Sequence, residues 1–236
     1  MKVQLIDCTV NPANLIAIGA RVCYTNKDIT EIAEGLTKEE ALKFVNKIVD
    51  AKHMSVLEHV SFTFAVEGVS RIMTHQLVRH RLCTFHERSQ RYVNMTKLGE
   101  LIPVVEPLTV AQHPEAHEMF EKLNEMASEF LFKCMNEWNI PGEDARFGIL
   151  QATESQLIMT CNAAQLIHIL KLRTCNRAQW EIREFGFRCL AEARKVLPEV
   201  FNKVGPSCYT EGKCPEGKMT CGKMLEVQKE FTPEAE

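Results

Sequence analysis

Stretches with strand periodicity and stretches with helix periodicity follow one another irregularly, and this order constrains the fold more than any other feature. Apolar residues alternate with polar or small ones over residues 60–66, which predicts a strand with one apolar face. Residues 114–138 and 178–197 instead repeat their apolar side chains at helical spacing. Because the elements show no steady strand–helix–strand rhythm, the sequence predicts an α+β fold rather than a doubly wound parallel sheet.

The N-terminal part carries clear local signals. Residues 2–8 are predicted to form a first strand, and Asn11 followed by Pro12 predicts the N-cap and first residue of a helix. Thr37 and Glu40 have the spacing of a capping box in front of an apolar helical stripe. We therefore expect one strand and two helices here.

The middle of the chain is predicted to continue in the same mixed way. Gly68 is expected to end the strand that begins at residue 60, with a helix over residues 69–77 after it. Residues 92–94 are predicted to begin another strand. Residues 157–161 alternate as a strand, and Asn162 is placed to cap the helix that follows.

The helix over residues 114–138 is predicted to bury one apolar face. This face consists of Met119, Phe120, Leu123, Ala127, Phe130, Leu131 and Cys134. After Gly205 the composition shifts to Gly, Pro, Lys and Cys. The sequence therefore predicts a single folded domain over residues 1–204 and an irregular tail over residues 205–236.

The composition argues against several classes of protein. The 236 residues carry a net charge of −3, so there is no general basic field for nucleic acid. No apolar stretch approaches the ~20 residues of a membrane span, and the first residues lack the apolar core of a signal peptide. Ten cysteines without a CxxC pair favour reduced thiols. We expect a cytoplasmic protein that binds neither nucleic acid nor membrane.

The segment from Arg71 to Arg91 has an unusual set of charges. It contains five arginines, three histidines and no lysine, and Glu87 is its only acid. A solvated helix end would account for one or two of these cations. Guanidinium groups are flat, forked donors that suit phosphate and carboxylate oxygens. The segment therefore predicts a site for a small anionic ligand.

Metal sites are a less favoured interpretation. The spacings of His75, His80 and His86 do not place the three rings on one helical face, and HExxH is absent. The three cysteines of the tail, Cys208, Cys214 and Cys221, are widely spaced and have no histidine nearby, so a zinc knuckle is the minor alternative. We expect no metal.

The stretch RHRLCTFHERSQRY, residues 79–92, resembles the signature of the flavin-dependent thymidylate synthases, RHRxxSxNExSxRY. Further matches occur in order along residues 1 to 200, at His53-x-Ser55-x-x-Glu58-His59, Ala145-Arg146, Asn162, Leu172-Arg173 and Ala178-Gln179-Trp180-Glu181-Ile182. Thr84 and His86 depart from the signature but keep a hydroxyl and a hydrogen-bonding group. Arg177 stands where some members have histidine.

The resemblance implies a central antiparallel sheet flanked by helices, in a homotetramer with shared active sites. It implies conversion of dUMP to dTMP, with methylenetetrahydrofolate as one-carbon donor, NADPH as reductant, FAD as the carrier of hydride, and tetrahydrofolate as the second product. The family uses no cysteine nucleophile on the uracil ring.

The resemblance also assigns residues. Arg173 is the catalytic residue, because a guanidinium can stabilise negative charge at the N3/O4 edge of uracil but cannot act as a base. The dUMP positions are Gln76, Leu77, Val78, Arg79, Glu87, Arg88, Ser89, Gln90, Arg91, Arg146 and Arg173. The FAD positions are Ser55, Arg79, His80, Arg81, Glu87, Asn162, Ala163, Ala164 and His168. His53 is expected to stack on a flavin or folate ring, and His80 on the isoalloxazine or adenine ring of FAD.

Two other functions are compatible with the residues. The first is a different flavin or nucleotide enzyme on the same scaffold. The second is an RNA- or nucleotide-binding module that uses the arginines without catalysis. Bound flavin would exclude the second, and methylation of dUMP would exclude the first.

Overall fold

The structure is a computed structural model that describes residues 1–93, 95 and 100–231. Its α+β fold contains one four-stranded sheet in the order β1-β2-β4-β3. The strands are β1 Lys2–Cys8, β2 Ser61–Ser70, β3 Cys83–Glu87 and β4 Glu154–Asn162. The sheet is antiparallel, so this part of the fold prediction is confirmed.

The helices differ widely in length. They are α1 Pro12–Val22, α2 Ile29–Glu34, α3 Lys38–Asp50, α4 Arg71–Leu77, α5 Leu108–Ala111, α6 Pro114–Asn136, α7 Gly142–Ala145, α8 Ala163–Arg173, α9 Trp180–Val196, α10 Pro198–Phe201, α11 Ser207–Thr210 and α12 Met224–Phe231. Segments of 3-10 helix cover Met54–His59, Arg146–Gly148 and Gly217–Met219.

The described residues group into two compact units. The first unit contains Met1–Lys2, Val66–Arg79 and the described residues of Phe85–Ile158. The second contains Val3–Ala65, His80–Thr84 and the described residues of Met159–Glu236.

Strand β2 runs through Gly68, so the prediction that Gly68 ends the strand was wrong. The strand continues to Ser70, and α4 begins at Arg71. Gly68 has a φ of 68°, a left-handed conformation that glycine adopts without steric cost. The residue therefore bends the strand instead of terminating it.

The pairing of β2 with β4 shows why the strand tolerates this conformation. Ala163 N donates to Val60 O at 2.7 Å, and at the other end Arg71 N donates to Thr153 O at 3.1 Å. Between these two bonds β2 is one residue longer than β4. An extra residue on one strand is a β-bulge, and Gly68 supplies the backbone conformation that it needs.

The caps of the N-terminal helices are partly as predicted. Thr37 Oγ1 accepts from Glu40 N at 3.3 Å and the Glu40 carboxylate accepts from Thr37 N at 3.2 Å, which confirms the capping box. Asn11 holds the N-cap position of α1, but its φ is 52° and its side chain makes no capping bond. Its backbone oxygen accepts the N–H groups of Asn14 and Leu15 instead.

Helix α6 buries less of its apolar surface than predicted. Ala127, Leu131 and Cys134 are buried, and the last two pack with Ile102 and Ala145 in the core of the first unit. Met119, Leu123 and Phe130 are exposed. The apolar residues of α6 therefore form two stripes, and only one of them faces this core.

The C-terminal segment is more ordered than predicted. It contains α11 and α12, and Cys208, Val227 and Phe231 are buried. The ring of Phe231 stacks on Phe187 of α9, with 5.4 Å between the ring centroids. The prediction of an irregular tail was therefore wrong for residues 205–231, and residues 232–236 lie outside the described part.

A strand was predicted to begin at residues 92–94, but Tyr92 and Val93 are not in a strand, so the prediction was wrong for these two residues. Asn94 lies outside the described residues. Among the described residues, no helix is both long enough and apolar enough to cross a bilayer.

Candidate functional site

A polar cavity lies in the first unit where α4 faces the segment after α7. Its volume is about 440 Å³, within the usual range of small-ligand pockets. The residues that line it are Arg71, His75, Gln90, Arg146, Phe147, Ile149, Leu150 and Gln151. Cationic and amide groups share the cavity with an aromatic ring and two aliphatic side chains, so it suits a ligand with an anionic end and an apolar, planar part.

The first cation of this cavity is held by Glu87. Arg71 forms a short ion pair with Glu87, and Ser155 Oγ donates to the other carboxylate oxygen at 2.7 Å. Ser155 is buried and the side chain of Glu87 is largely covered, so the carboxylate is fixed in position. Glu87 was predicted to contact both dUMP and FAD. In this structure it orients Arg71.

The second cation of the cavity, Arg146, is oriented by a backbone oxygen. Arg146 Nε donates to Glu143 O at 3.1 Å, which uses one of the five N–H donors of its guanidinium. Gln90, the other predicted dUMP residue in the cavity, follows β3. The structure thus brings together two predicted residues that are far apart in sequence.

Ser89 and Arg91 make local contacts beside this cavity. Arg91 N donates to Ser89 Oγ at 3.1 Å. The Arg91 guanidinium pairs with Glu143 at 2.6 Å and lies over the ring of Tyr92, 5.4 Å from its centroid. These contacts hold the end of the signature segment against α7.

The remaining predicted dUMP residues of the first unit are dispersed. Gln76 Nε2 donates weakly to Ile72 O within α4. Leu77 is fully buried in the core, so only its backbone is available to a ligand. Val78 and Arg79 are exposed in the turn after α4, and Arg88 donates its backbone N–H to Gln156 O at 2.9 Å.

A second cluster, in the second unit, joins His80 to Arg173. Arg173 Nε donates to His80 Nε2 at 3.0 Å, and the His80 ring meets His168 edge-on at 6.0 Å between centroids. His80 is buried. Burial, together with the charges of Arg173 and His168, lowers the pKa of His80 to about 4. His80 is therefore a neutral acceptor at neutral pH.

Arg173 ends α8 and packs closely against α9. Burial lowers the pKa of its guanidinium from the usual value, although the group stays charged. A Cβ atom at Gly186 would lie 3.2 Å from the backbone carbon of Arg173, so glycine permits this approach. The guanidinium is thus fixed by a helix contact and by His80.

The start of α8 places the other predicted FAD residues. Asn162 Oδ1 accepts from Gln165 N at 2.8 Å, which confirms the predicted cap. Ala163 is buried and Ala164 is half-buried. His168, further along α8, is exposed. In the same unit Ser55, His53 and Arg81 are exposed, the first two at the 3-10 segment Met54–His59.

Sequence reasoning did not assign four polar residues that the structure places at or beside the cavity. Arg71, His75 and Gln151 line it, and Ser155 fixes Glu87. Arg71 and His75 are four residues apart on α4, so their i, i+4 spacing was an available signal. Gln151 and Ser155 carry no such signal, because only the sheet brings β4 next to β3.

Comparison with known proteins decides the family. The sequence profile described as "Thymidylate synthase complementing protein" matches residues 4–199. The chain is 42% identical to the flavin-dependent thymidylate synthase of Geobacter sulfurreducens over 231 residues, which is 98% of each chain. The chain belongs to the flavin-dependent thymidylate synthase family. It is accordingly a flavoprotein enzyme of methyltransferase type.

Other members of this family match over similar lengths. The flavin-dependent thymidylate synthase of Clostridium tetani is 38% identical and covers 97% of this chain and 96% of its own. That of Pyrococcus furiosus is 35% identical and covers 100% and 98%. Because these alignments include the C-terminal segment, that segment is part of the length shared with flavin-dependent thymidylate synthases.

A solved structure supports the fold. The UMP/dUMP methylase PolB from Streptomyces cacaoi, bound with 5-Br dUMP, superposes with a TM-score of 0.70 over 85% of this chain and 92% of its own. The sequence identity is 24%. This chain and PolB therefore share their fold.

Proposed function

We propose that this enzyme converts dUMP to dTMP, with methylenetetrahydrofolate as the one-carbon donor and NADPH as the reductant of a bound FAD, and that it releases tetrahydrofolate. The observation that carries the proposal is the cavity with Arg71, His75 and Arg146, which lies beside the signature segment. PolB, a protein of the same fold, is named for methylation of UMP and dUMP.

The cavity has the groups that a pyrimidine nucleotide requires. Arg146 and Arg71 offer forked donors to the phosphate, and charge-assisted bonds of this kind are among the strongest hydrogen bonds in proteins. Phe147, Ile149 and Leu150 provide an apolar wall for the base and sugar. Gln90 and Gln151 can donate hydrogen bonds to the nucleotide or accept them from it.

The second unit has a donor set that fits FAD. Arg81, His80, His168 and Asn162 are cationic or neutral donors, which suit the diphosphate and the pyrimidine edge of the flavin ring. His53 is exposed, so its ring is available to stack. When bound, the flavin supplies the hydride chemistry that no side chain can perform.

Arg173 is proposed to stabilise the uracil ring as negative charge develops at N3 and O4. A fixed donor that meets such charge lowers the barrier without reorganising. The bond from Arg173 to His80 fixes the guanidinium before substrate binds. Because His80 stays neutral, it does not repel the guanidinium.

The exposed stripe of α6 supports assembly as a homotetramer. Met119, Leu123, Met126 and Phe130 follow one another at spacings of four, three and four residues, which is the pattern of a helix–helix seam. The exposed fractions of Met119 and Met126 are 65% and 68%. A contiguous apolar stripe of this kind is typical of an interface between chains.

The direct test is product analysis with the purified enzyme. We expect dTMP by mass spectrometry when dUMP, methylenetetrahydrofolate and NADPH are all present, together with the absorption spectrum of bound flavin. Omitting any one of the three should abolish the product. Flavin reduction by NADPH without any methylated nucleotide, from dUMP or from UMP, would contradict the proposal.

A further inference from the structure

Two cysteines that the proposed reaction does not use stand opposite each other in the sheet. Cys83 begins β3 and Cys161 lies near the end of β4, and these two strands are neighbours. Arg88 N donates to Gln156 O at 2.9 Å, a bond that joins directly opposite residues of an antiparallel pair. Counting back from Arg88 to Cys83 and forward by the same number from Gln156 leads to Cys161. The register therefore pairs the two cysteines.

The burial of the side chains agrees with this register. Successive side chains of a strand point to opposite faces, and directly opposite residues share a face. Cys161 is 4% exposed and Cys83 is half-buried. Thr84, the next residue of β3, is exposed, and its opposite residue Thr160 contacts the hydroxyl of Thr63 at 3.0 Å. Cys83 and Cys161 thus share the buried face, and the threonines share the other.

The register also sets the spacing of the two cysteines. Hydrogen-bonded and non-hydrogen-bonded pairs alternate along an antiparallel ladder, so the cysteines form a non-hydrogen-bonded pair. The Cα atoms of such a pair are about 4.5 Å apart, and disulfides usually join Cα atoms about 4.4–6.8 Å apart. Strand β3 is at the edge of the described sheet, so it can shift slightly without breaking a second ladder. A disulfide can therefore form here.

The surroundings of the two thiols give them different reactivity. The neighbouring Cys161 thiol is the main cause that lowers the pKa of the Cys83 thiol, against the effect of burial, and Gln165 adds to it. Cys83 and burial raise the pKa of the Cys161 thiol. Because the thiolate is the nucleophile, Cys83 is the residue that reacts first with an oxidant.

We propose that hydrogen peroxide converts Cys83 and Cys161 into a reversible disulfide. The Cys83 thiolate attacks one peroxide oxygen, the O–O bond breaks and hydroxide leaves, so that Cys83 becomes a sulfenic acid. The Cys161 sulfur then attacks the Cys83 sulfur, and its proton leaves with the sulfenic oxygen as water. The two sulfurs lose two electrons, which reduce the peroxide to water and hydroxide.

The disulfide would protect the signature strand from permanent damage. A sulfenic acid that finds no second thiol is oxidised further to a sulfinic acid, and this step is generally irreversible. A disulfide is instead reduced by exchange with another thiol. Cys161 therefore acts as the partner that keeps the oxidation of Cys83 reversible.

Peptide mapping of the full-length protein tests the proposal. Trypsin places Cys83 in the peptide 82–88 and Cys161 in the peptide 147–171, and each peptide has a single cysteine. After peroxide treatment and alkylation of the remaining thiols, mass spectrometry should find these two peptides joined by a disulfide. Dithiothreitol should separate them. Oxidation of the chain unfolded in urea should not favour this pair.

Three variants separate the roles of the two cysteines. In Cys161→Ser the joined peptides should be lost, and Cys83 should gain two oxygen atoms as a sulfinic acid. In Cys83→Ser they should also be lost, with Cys161 left as a free thiol. Cys23→Ser, at an exposed cysteine elsewhere, should still form the joined peptides.

The decisive result comes from the wild type alone, in case the variants do not fold. It is read at a peroxide concentration that oxidises the exposed Cys23. A free Cys83 thiol, a Cys83 sulfinic acid, or a disulfide from Cys83 to another cysteine as the main product would each overturn the proposal.

Discussion

At the scale of single residues, the contact between His80 and Arg173 carries the most consequence. His80 Nε2 accepts a hydrogen bond from Arg173 Nε, so the ring proton must be on Nδ1. A second proton would place a donor against a donor and a positive ring beside a guanidinium. The same contact therefore keeps His80 neutral and fixes Arg173.

The pH dependence of stability should reveal this contact. The pKa of His80 is about 4 in the folded protein, against about 6.5 for an unfolded chain. As pH falls, His80 is protonated first in the unfolded chain. The contribution of neutral His80 to the free energy of unfolding is therefore complete above about pH 6.5 and declines toward about pH 4. The decline should not exceed about 3 kcal/mol, since a tenfold change in proton affinity is worth about 1.4 kcal/mol and solvent screening reduces the effect.

Urea unfolding of the wild type and of His80→Gln between about pH 7 and pH 4 measures this difference. The free energies of unfolding of the two proteins should converge as the pH falls. An NMR titration that gives His80 an ordinary pKa in the folded wild type would contradict the account.

Replacing Arg173 should affect turnover more than cofactor binding. In Arg173→Ala we expect kcat to fall by a factor of about 10² to 10³ or more, which is typical for loss of one donor to developing charge. Flavin should remain bound, because Arg173 is assigned to the nucleotide and not to the cofactor. Arg173→Lys keeps the positive charge but loses the forked donors of the guanidinium, so its kcat should lie between those of the wild type and Arg173→Ala. Full turnover in Arg173→Ala would remove the role proposed here.

At the scale of elements, the packing of α9 on the end of α8 positions the catalytic guanidinium. A Cβ atom at Gly186 would meet the backbone carbon of Arg173 at 3.2 Å and its Cβ at 3.3 Å. Both neighbours are rigid, so the helices would have to separate. The geometry of Arg173 therefore depends on a residue that touches no ligand.

A pair of glycine variants tests this packing. Gly186→Ala should destabilise the protein by about 1–3 kcal/mol and lower kcat, because it overpacks the contact. Gly19→Ala in α1 is the control: its Cβ would lie 3.6 Å from the nearest atom of the His59 ring, an ordinary contact, so higher helix propensity should stabilise by up to about 1 kcal/mol. Urea unfolding measures both, and stabilisation by Gly186→Ala would contradict the account.

Local signals in the sequence predicted individual elements well. The capping box at Thr37 depends on neighbouring residues alone, and the structure has both of its bonds. Gly68 was misjudged because its local preference to end a strand is outweighed by hydrogen bonds to β1 and β4. The exposed stripe of α6 has the same helical periodicity as a buried one, so the sequence could not tell which stripe enters the core.

At the candidate site, too, local sequence signals did not predict which residues the fold brings together. Arg146 and Gln90 were assigned through the family signature, and both line the cavity. Arg71 lies in the arginine segment that suggested an anion site, but its pairing with Glu87 depends on the register of β3 and β4.

At the scale of the whole molecule, the α6 stripe should govern the oligomeric state. Met126→Lys places a charge in the stripe and should dissociate the proposed homotetramer, which light scattering after size-exclusion chromatography would detect. Glu125→Lys introduces the same side chain on the adjacent, exposed position and should not. If both variants elute with the mass of the wild type, the stripe is not the interface.

The proposed binding of the nucleotide phosphate by Arg146 is tested most directly by calorimetric titration. In this experiment dUMP and deoxyuridine are each titrated into the wild type and into Arg146→Ala. We predict that the variant binds dUMP about 10 to 100 times more weakly, the effect of losing a hydrogen bond to a charged group, and that deoxyuridine binding is unchanged. Undiminished affinity of Arg146→Ala for dUMP, or equal losses for both ligands, would contradict it.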